Sequence, residues 1–163
     1  MDFEQYFKSP TRSRSIHHFR DIYFQDQEHA CFAAAALNSS LFFFWFISIG
    51  NGRNITGTDV EAFPIGHPAP GALRDASAAF RRLMDDYKEN SLIRQRADCE
   101  FQEFRPNLSK HIMDVIDQIL ATHFEFADEE LDFILNYDIK YRMGLSDAED
   151  IESDGDGAEE GKV

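Results

Sequence analysis

Ala30–Ile49 reads ACFAAAALNSSLFFFWFISI, an uncharged run that closes on Phe42-Phe43-Phe44-Trp45-Phe46. A run of that length is sufficient to cross a bilayer. Three features argue against a span. Asn38, Ser39 and Ser40 sit at its centre, where polar groups are costly in hydrocarbon. Its flanks carry Asp21, Asp26, Glu28 and His29 before it and only Arg53 soon after, which is no polybasic stop signal. The remainder of the chain is acidic and has the periodicities of a globular domain. The preferred reading is one buried helix, capped by Asp26, opened by Glu28 and His29, and stopped by Gly50-Asn51-Gly52. Its aromatic end is expected to pack against something large.

Composition bounds what surrounds that helix. The 163 residues suit one domain with a real core, and 43% apolar with 13% aromatic content excludes wholesale disorder. Sixteen Phe is a heavy load, since burying each ring is worth about 1.5–3 kcal/mol. Either the core is densely aromatic or a face is meant for another domain. Net charge is −14, and eight acidic residues with one Lys lie from Ser146 onward. Residues 146–163 therefore read as a disordered acidic tail, because they hold almost no apolar surface to offset their ordering entropy. The body, 1–145, keeps 22 acidic and 15 basic residues. That balance disfavours tight nucleic-acid binding by this chain alone, since phosphate contacts need clustered cations. Two local clusters exist: Arg12, Arg14, His17, His18 and Arg20, and Arg81, Arg82, Lys88, Arg94 and Arg96. Cys31 and Cys99 have no redox or metal spacing, and Met1–Arg20 has no signal-peptide core, so a cytoplasmic location is expected.

Periodicity supplies the other elements. Ser15–Gln25 suits a short strand, and Arg53–Thr56 an edge strand. Thr58-Asp59 is expected to cap a brief turn that Phe63-Pro64 ends, with Gly66–Gly71 as a connector. Leu73, Ala76, Phe80, Leu83, Met84 and Tyr87 repeat at helical spacing and predict a helix over Ala72–Asn90. Asp98–Arg105 is ambiguous between strand and loop. Leu108, Ile112, Val115, Ile116, Ile119 and Leu120 predict a helix over Asn107–Phe124, with Pro106 at its start. Asp128–Met143 reads as a helix with two apolar stripes, gripped between neighbours and ended by Gly144; Ala127 stands where Ser or Thr would complete a capping box with Glu130. The fold class expected is mainly α with a few short strands (α+β).

Chemistry-bearing motifs are missing. Gly50-Asn51-Gly52 contains a GxG, but it follows a helix, whereas a dinucleotide or S-adenosylmethionine loop needs strand, glycines and helix in that order. The six His form no HExxH pair, and His111 and His123 have no ligand partner at metal spacing. Asp85-Asp86 and Asp128-Glu129-Glu130 read as solvated faces and helix starts. No catalytic, cofactor-binding or metal-binding residue is expected.

Two segments nevertheless resemble a known family. Leu37–Phe42 (LNSSLF), Gly52–Thr56 (GRNIT) and Asp59–Pro64 (DVEAFP) resemble a stretch late in large bacterial adenine-N6 DNA methyltransferases. These are the type IIG restriction–modification enzymes and the methyltransferases of phage-exclusion (phage-defence) systems. Phe104-Arg105-Pro106, Asp114–Asp117 (DVID) and above all Glu129–Gly144 (EELDFILNYDIKYRMG) are similar to the family's C-terminal end. The resemblance covers most of 15–145 and implies a target-recognition-associated C-terminal region over 1–145. It implies S-adenosylmethionine and the Asn-Pro-Pro-Tyr/Phe catalytic motif in a separate upstream domain, because neither that motif nor FxGxG occurs in this chain. A fragment or subunit, inactive in methyl transfer alone, is expected. Its partners would be the catalytic domain or subunit and, within the assembly, DNA, with no membrane. Asn51, Arg53 and Asn54 are the candidate DNA-binding residues, since Arg and Asn read guanine and adenine edges; plain turn chemistry beside Gly52 accounts for them equally well. The alternative is a module that docks on a methyltransferase subunit without touching DNA.

Overall fold

The computed structural model describes residues 6–10, 21–50 and 53–139. Among them the chain is mainly helical, with one small antiparallel sheet.

Helix α1, Gln27–Leu37, starts where the sequence places it: Asp26 Oδ1 accepts the backbone N–H of His29 at 2.9 Å. It does not continue to Ile49. A second helix, α2, runs over Ser40–Ile49, and the two axes meet at 63°. The single expected helix is thus corrected to a pair, and the cause lies in the three polar residues. Asn38 Nδ2 donates to the Ala34 carbonyl at 2.8 Å, and Ser39 Oγ donates to that of Ala36 at 2.6 Å. Ser39 Oγ also accepts the N–H of Phe42 at 3.0 Å, so it caps α2. Side-chain bonds replace the backbone bonds that a straight helix would have made. No single helix among the described residues is long and apolar enough to cross a membrane, and only the bent α1–α2 pair passes that test together.

Arg53–Thr56 makes no strand, because Thr56 is committed to capping helix α3, Gly57–Ala62. Thr56 Oγ1 accepts the N–H of Asp59, and Asp59 Oδ2 accepts the N–H of Thr56 at 2.8 Å, a complete capping box. The cap is therefore Thr56 rather than Thr58-Asp59. Residues 21–24 likewise form no strand; the rest of the expected strand, 15–20, falls outside the described residues.

Helix α4, Pro70–Glu89, opens with Pro70 in its first turn and buries Leu73, Ala76, Phe80, Leu83 and Tyr87 of the expected stripe, with Met84 half-buried against the core. Strands β2, Leu92–Arg96, and β3, Cys99–Glu103, then form a hairpin, and β1, Phe7–Lys8, pairs on the far side of β3. The sheet order is β1-β3-β2, with Arg94 opposite Phe101 and Phe7 opposite Phe101 across the other edge. The ambiguous stretch 98–105 is thus largely strand.

A short 3-10 turn, Pro106–Ser109, leads into helix α5, Lys110–Phe124. This helix buries Ile112, Met113, Ile116 and Leu120, while Leu108 and Val115, expected inside, are exposed. Helix α6 covers Asp128–Asn136: Tyr137 turns extended and Asp138 takes a positive φ of 51°, which breaks the helix expected over Asp128–Met143; Ile139 is helical again, and residues 140–143 lie outside the described residues. Glu130 Oε2 accepts the N–H of Ala127, half a capping box, since Ala127 has no acceptor to return. Of α6 only Ile134 is buried, so the helix lies on α2 and α5 with one face outward rather than gripped on both sides. The remainder of that stretch, Gly144 and the acidic tail lie outside the described residues.

The core is one cluster shared by α1, α2, α4 and α5, with Phe32, Leu83, Ile112, Ile116 and Leu120 fully enclosed. Cys31 and Cys99 are buried and unpaired with each other.

Candidate functional site

The expected DNA-contacting residues sit immediately after α2. Arg53 and Asn54 are exposed there, on the link to α3, while Asn51 lies outside the described residues. Just beyond them the Thr56 hydroxyl and N–H hold the Asp59 carboxyl below the ordinary aspartate range. The second basic cluster is carried by α4 and β2, and α4 packs on the same two helices, α1 and α5, that α2 does. Within that cluster Arg94 pairs with Glu103 at 3.3 Å across the hairpin. The first cluster, 12–20, lies outside the described residues.

A feature the periodicities did not announce holds α2 in place. Asp117, on α5, is 2% exposed, and its Oδ1 accepts the N–H of Ser40 at 2.8 Å and that of Leu41 at 3.4 Å. An acceptor placed at the first turn of a helix satisfies donors that have no partner within the helix. The sequence did carry a signal: Asp117 falls four residues after Met113 and three before Leu120, on the apolar face of α5.

Aromatic packing extends from that corner. Phe63 meets Phe42 edge-on at 5.1 Å and Trp45 at 5.4 Å, joining the α3 end to α2. On the opposite side of α2, Phe44 meets Phe133 at 5.6 Å and Tyr137 at 5.0 Å, both edge-on. Between α2 and α6 runs an open apolar groove of about 500 Å³. Its lining runs from the buried Ile134 and half-buried Leu41, Phe44 and Trp45, which we term its floor, to the exposed Ile49 and Phe133 and the exposed carboxylates Glu129 and Glu130, its rim. Ile49 is 69% exposed and Phe133 57%, two large apolar side chains lining the same groove.

Among the described residues no strand leads through glycines into a helix, and no three His, Cys, Asp or Glu side chains converge as metal ligands. What the arrangement offers is surface: an exposed polar link after α2 and an apolar groove with an acidic rim.

No family model matches the chain, and no curated protein and no solved structure matches it.

Proposed function

We propose that the chain is a fragment or subunit of a site-specific adenine-N6 DNA methyltransferase of a restriction–modification or phage-defence system, acting in the cytoplasm. It contributes recognition or scaffold surface, while S-adenosylmethionine binding and methyl transfer belong to a separate domain or subunit. One observation supports the reading beyond the resemblance itself. The stretches that carry the resemblance meet in the fold: the Asn38–Leu41 corner is bonded to Asp117 of the DVID segment, Phe63 lies on Phe42, and Phe133 of the ELDFI segment lies on Phe44. The segments that carry the resemblance therefore form one packed unit, which supports reading them together.

In this role Arg53 and Asn54, presented on the link after α2, contact phosphate or base edges. The test is duplex-DNA binding at low salt by the chain together with the methyltransferase polypeptide that co-purifies with it. Arg53→Ala is expected to weaken binding by at least about fivefold without altering the fold. Unchanged binding removes Arg53 from the interface, and the failure of any adenine methyltransferase to co-purify removes the proposal. A second reading, docking on such a subunit with no DNA contact, is favoured by the exposed groove and the chain's net charge of −14. Co-purification without a gel shift selects it.

A further inference from the structure

We infer that the α2–α6 groove is a docking site for a short cationic amphipathic helix of a partner protein, a reading that stands whether or not the chain touches DNA. The groove has the form that such helices use: an open apolar channel lying between two helices. The nine residues of α6 and ten of α2 give it a length of about 13–15 Å, enough for two to three turns of a bound helix. Apolar anchors at i, i+3 or i+4, and i+7 then fall between Ile49 and Phe133 and onto Phe44 and Trp45.

The rim decides what kind of helix. Glu129 and Glu130 border the channel, and Asp128 and Asp132 flank them on the same exposed helix. Asp128 and Glu129 form no ion pair with any cation among the described residues. Lys or Arg beside the apolar anchors meets this rim with complementary charge. The same rim argues against other occupants. Phosphate backbones and anionic lipid headgroups meet like charge. A second copy docking through a twofold axis places one acidic rim on another. The chain's own acidic C-terminal residues carry the wrong sign as well.

The chain contains a single Trp, and Trp45 lies on the groove floor, so its fluorescence reports occupancy directly. The probe is a Trp-free 14-residue peptide with Leu at positions 1, 4, 8 and 11 and Lys at the flanking positions, titrated into the full chain. A control peptide carries Glu in place of every Lys. The basic peptide is expected to blue-shift Trp45 emission with a dissociation constant on the order of micromolar. Its preference over the acidic peptide should be about tenfold at low salt and should shrink as salt rises. The double variant Asp128→Lys, Glu129→Lys leaves the rim, with Glu130 and Asp132, near neutral and should erase the preference. Phe133→Glu, at an exposed position, should abolish binding while far-UV circular dichroism stays unchanged. Equal binding of both peptides, an emission shift with neither, or a dimer in light scattering that Phe133→Glu dissolves, each overturns the inference.

Discussion

Replacing Asp117 by Ala should loosen the corner between α1 and α2. The Asp117 carboxyl oxygen stands 2.8 Å from the Ser40 nitrogen, and Ser40 is fully buried. Removing the acceptor leaves that N–H in a dry site, at a cost of about 1–3 kcal/mol. The longer bond to Leu41, at 3.4 Å, and the space vacated by the carboxyl group bring the expected loss to about 2–4 kcal/mol. For a chain of this size that lowers Tm by roughly 5–15 °C. Asp117→Asn retains an oxygen acceptor in the same place and should lose less than half as much. Asp114→Ala, one turn earlier and in a half-buried ion pair with Lys110, should change stability by less than about 1 kcal/mol. Urea titration followed by Trp45 fluorescence and by circular dichroism measures all three variants. If Asp117→Ala matches the wild type within about 0.5 kcal/mol, with Trp45 emission unmoved, the corner is not held by this residue and the reasoning fails.

The remaining expectations concern caps and a tight turn. Hydrogen bonds hold the Asp26 and Asp59 carboxyls below their ordinary value of 3.8, from the His29 N–H in the first case and the Thr56 hydroxyl in the second. Groups depressed on folding stabilise above that pH, and the stabilisation is lost as pH falls through the folded value. The double variant Asp26→Asn, Asp59→Asn keeps its acceptors without titrating, so its Tm should decline less steeply than the wild type's below about pH 4; parallel curves would contradict this. At Gly50 an added Cβ would lie 2.6 Å from the Phe46 carbonyl oxygen and 2.8 Å from its ring, so Gly50→Ala should destabilise by about 1–3 kcal/mol. Gly57→Ala meets nothing within 4 Å at the start of α3 and should be neutral or stabilising by up to about 1 kcal/mol, and denaturant midpoints compare the two.

Local chemistry was readable along the chain, and distant chemistry was not. Asp26 and Gly50 mark helix ends because their effects act within four residues. The α4 stripe Leu73–Tyr87 is readable because a helix with one buried face imposes its period on the residues. The corner at Asn38–Ser40 is different: the alanines and aromatics on either side all favour continuing, and part of what stops them is a side chain 77 residues away. Strand β2 went unassigned because LIRQR is exposed throughout and so shows no alternation between faces. At the candidate site, the exposed place of Arg53 and Asn54 followed from the glycine turn before them. The groove did not, since it arises from two helices joined only by tertiary packing, and Phe133 read as part of a buried stripe. The end of α6 was missed for a similar reason, as the apolar pattern continues past the backbone reversal at Asp138.

The corner also imposes an order on biosynthesis. Ser40 leaves the ribosome well before Asp117 does, and at about 5–20 residues per second the 77-residue separation takes roughly 4–15 s to be made. Throughout that interval the nascent chain displays its greasiest segment without the carboxyl group that later locks the kink.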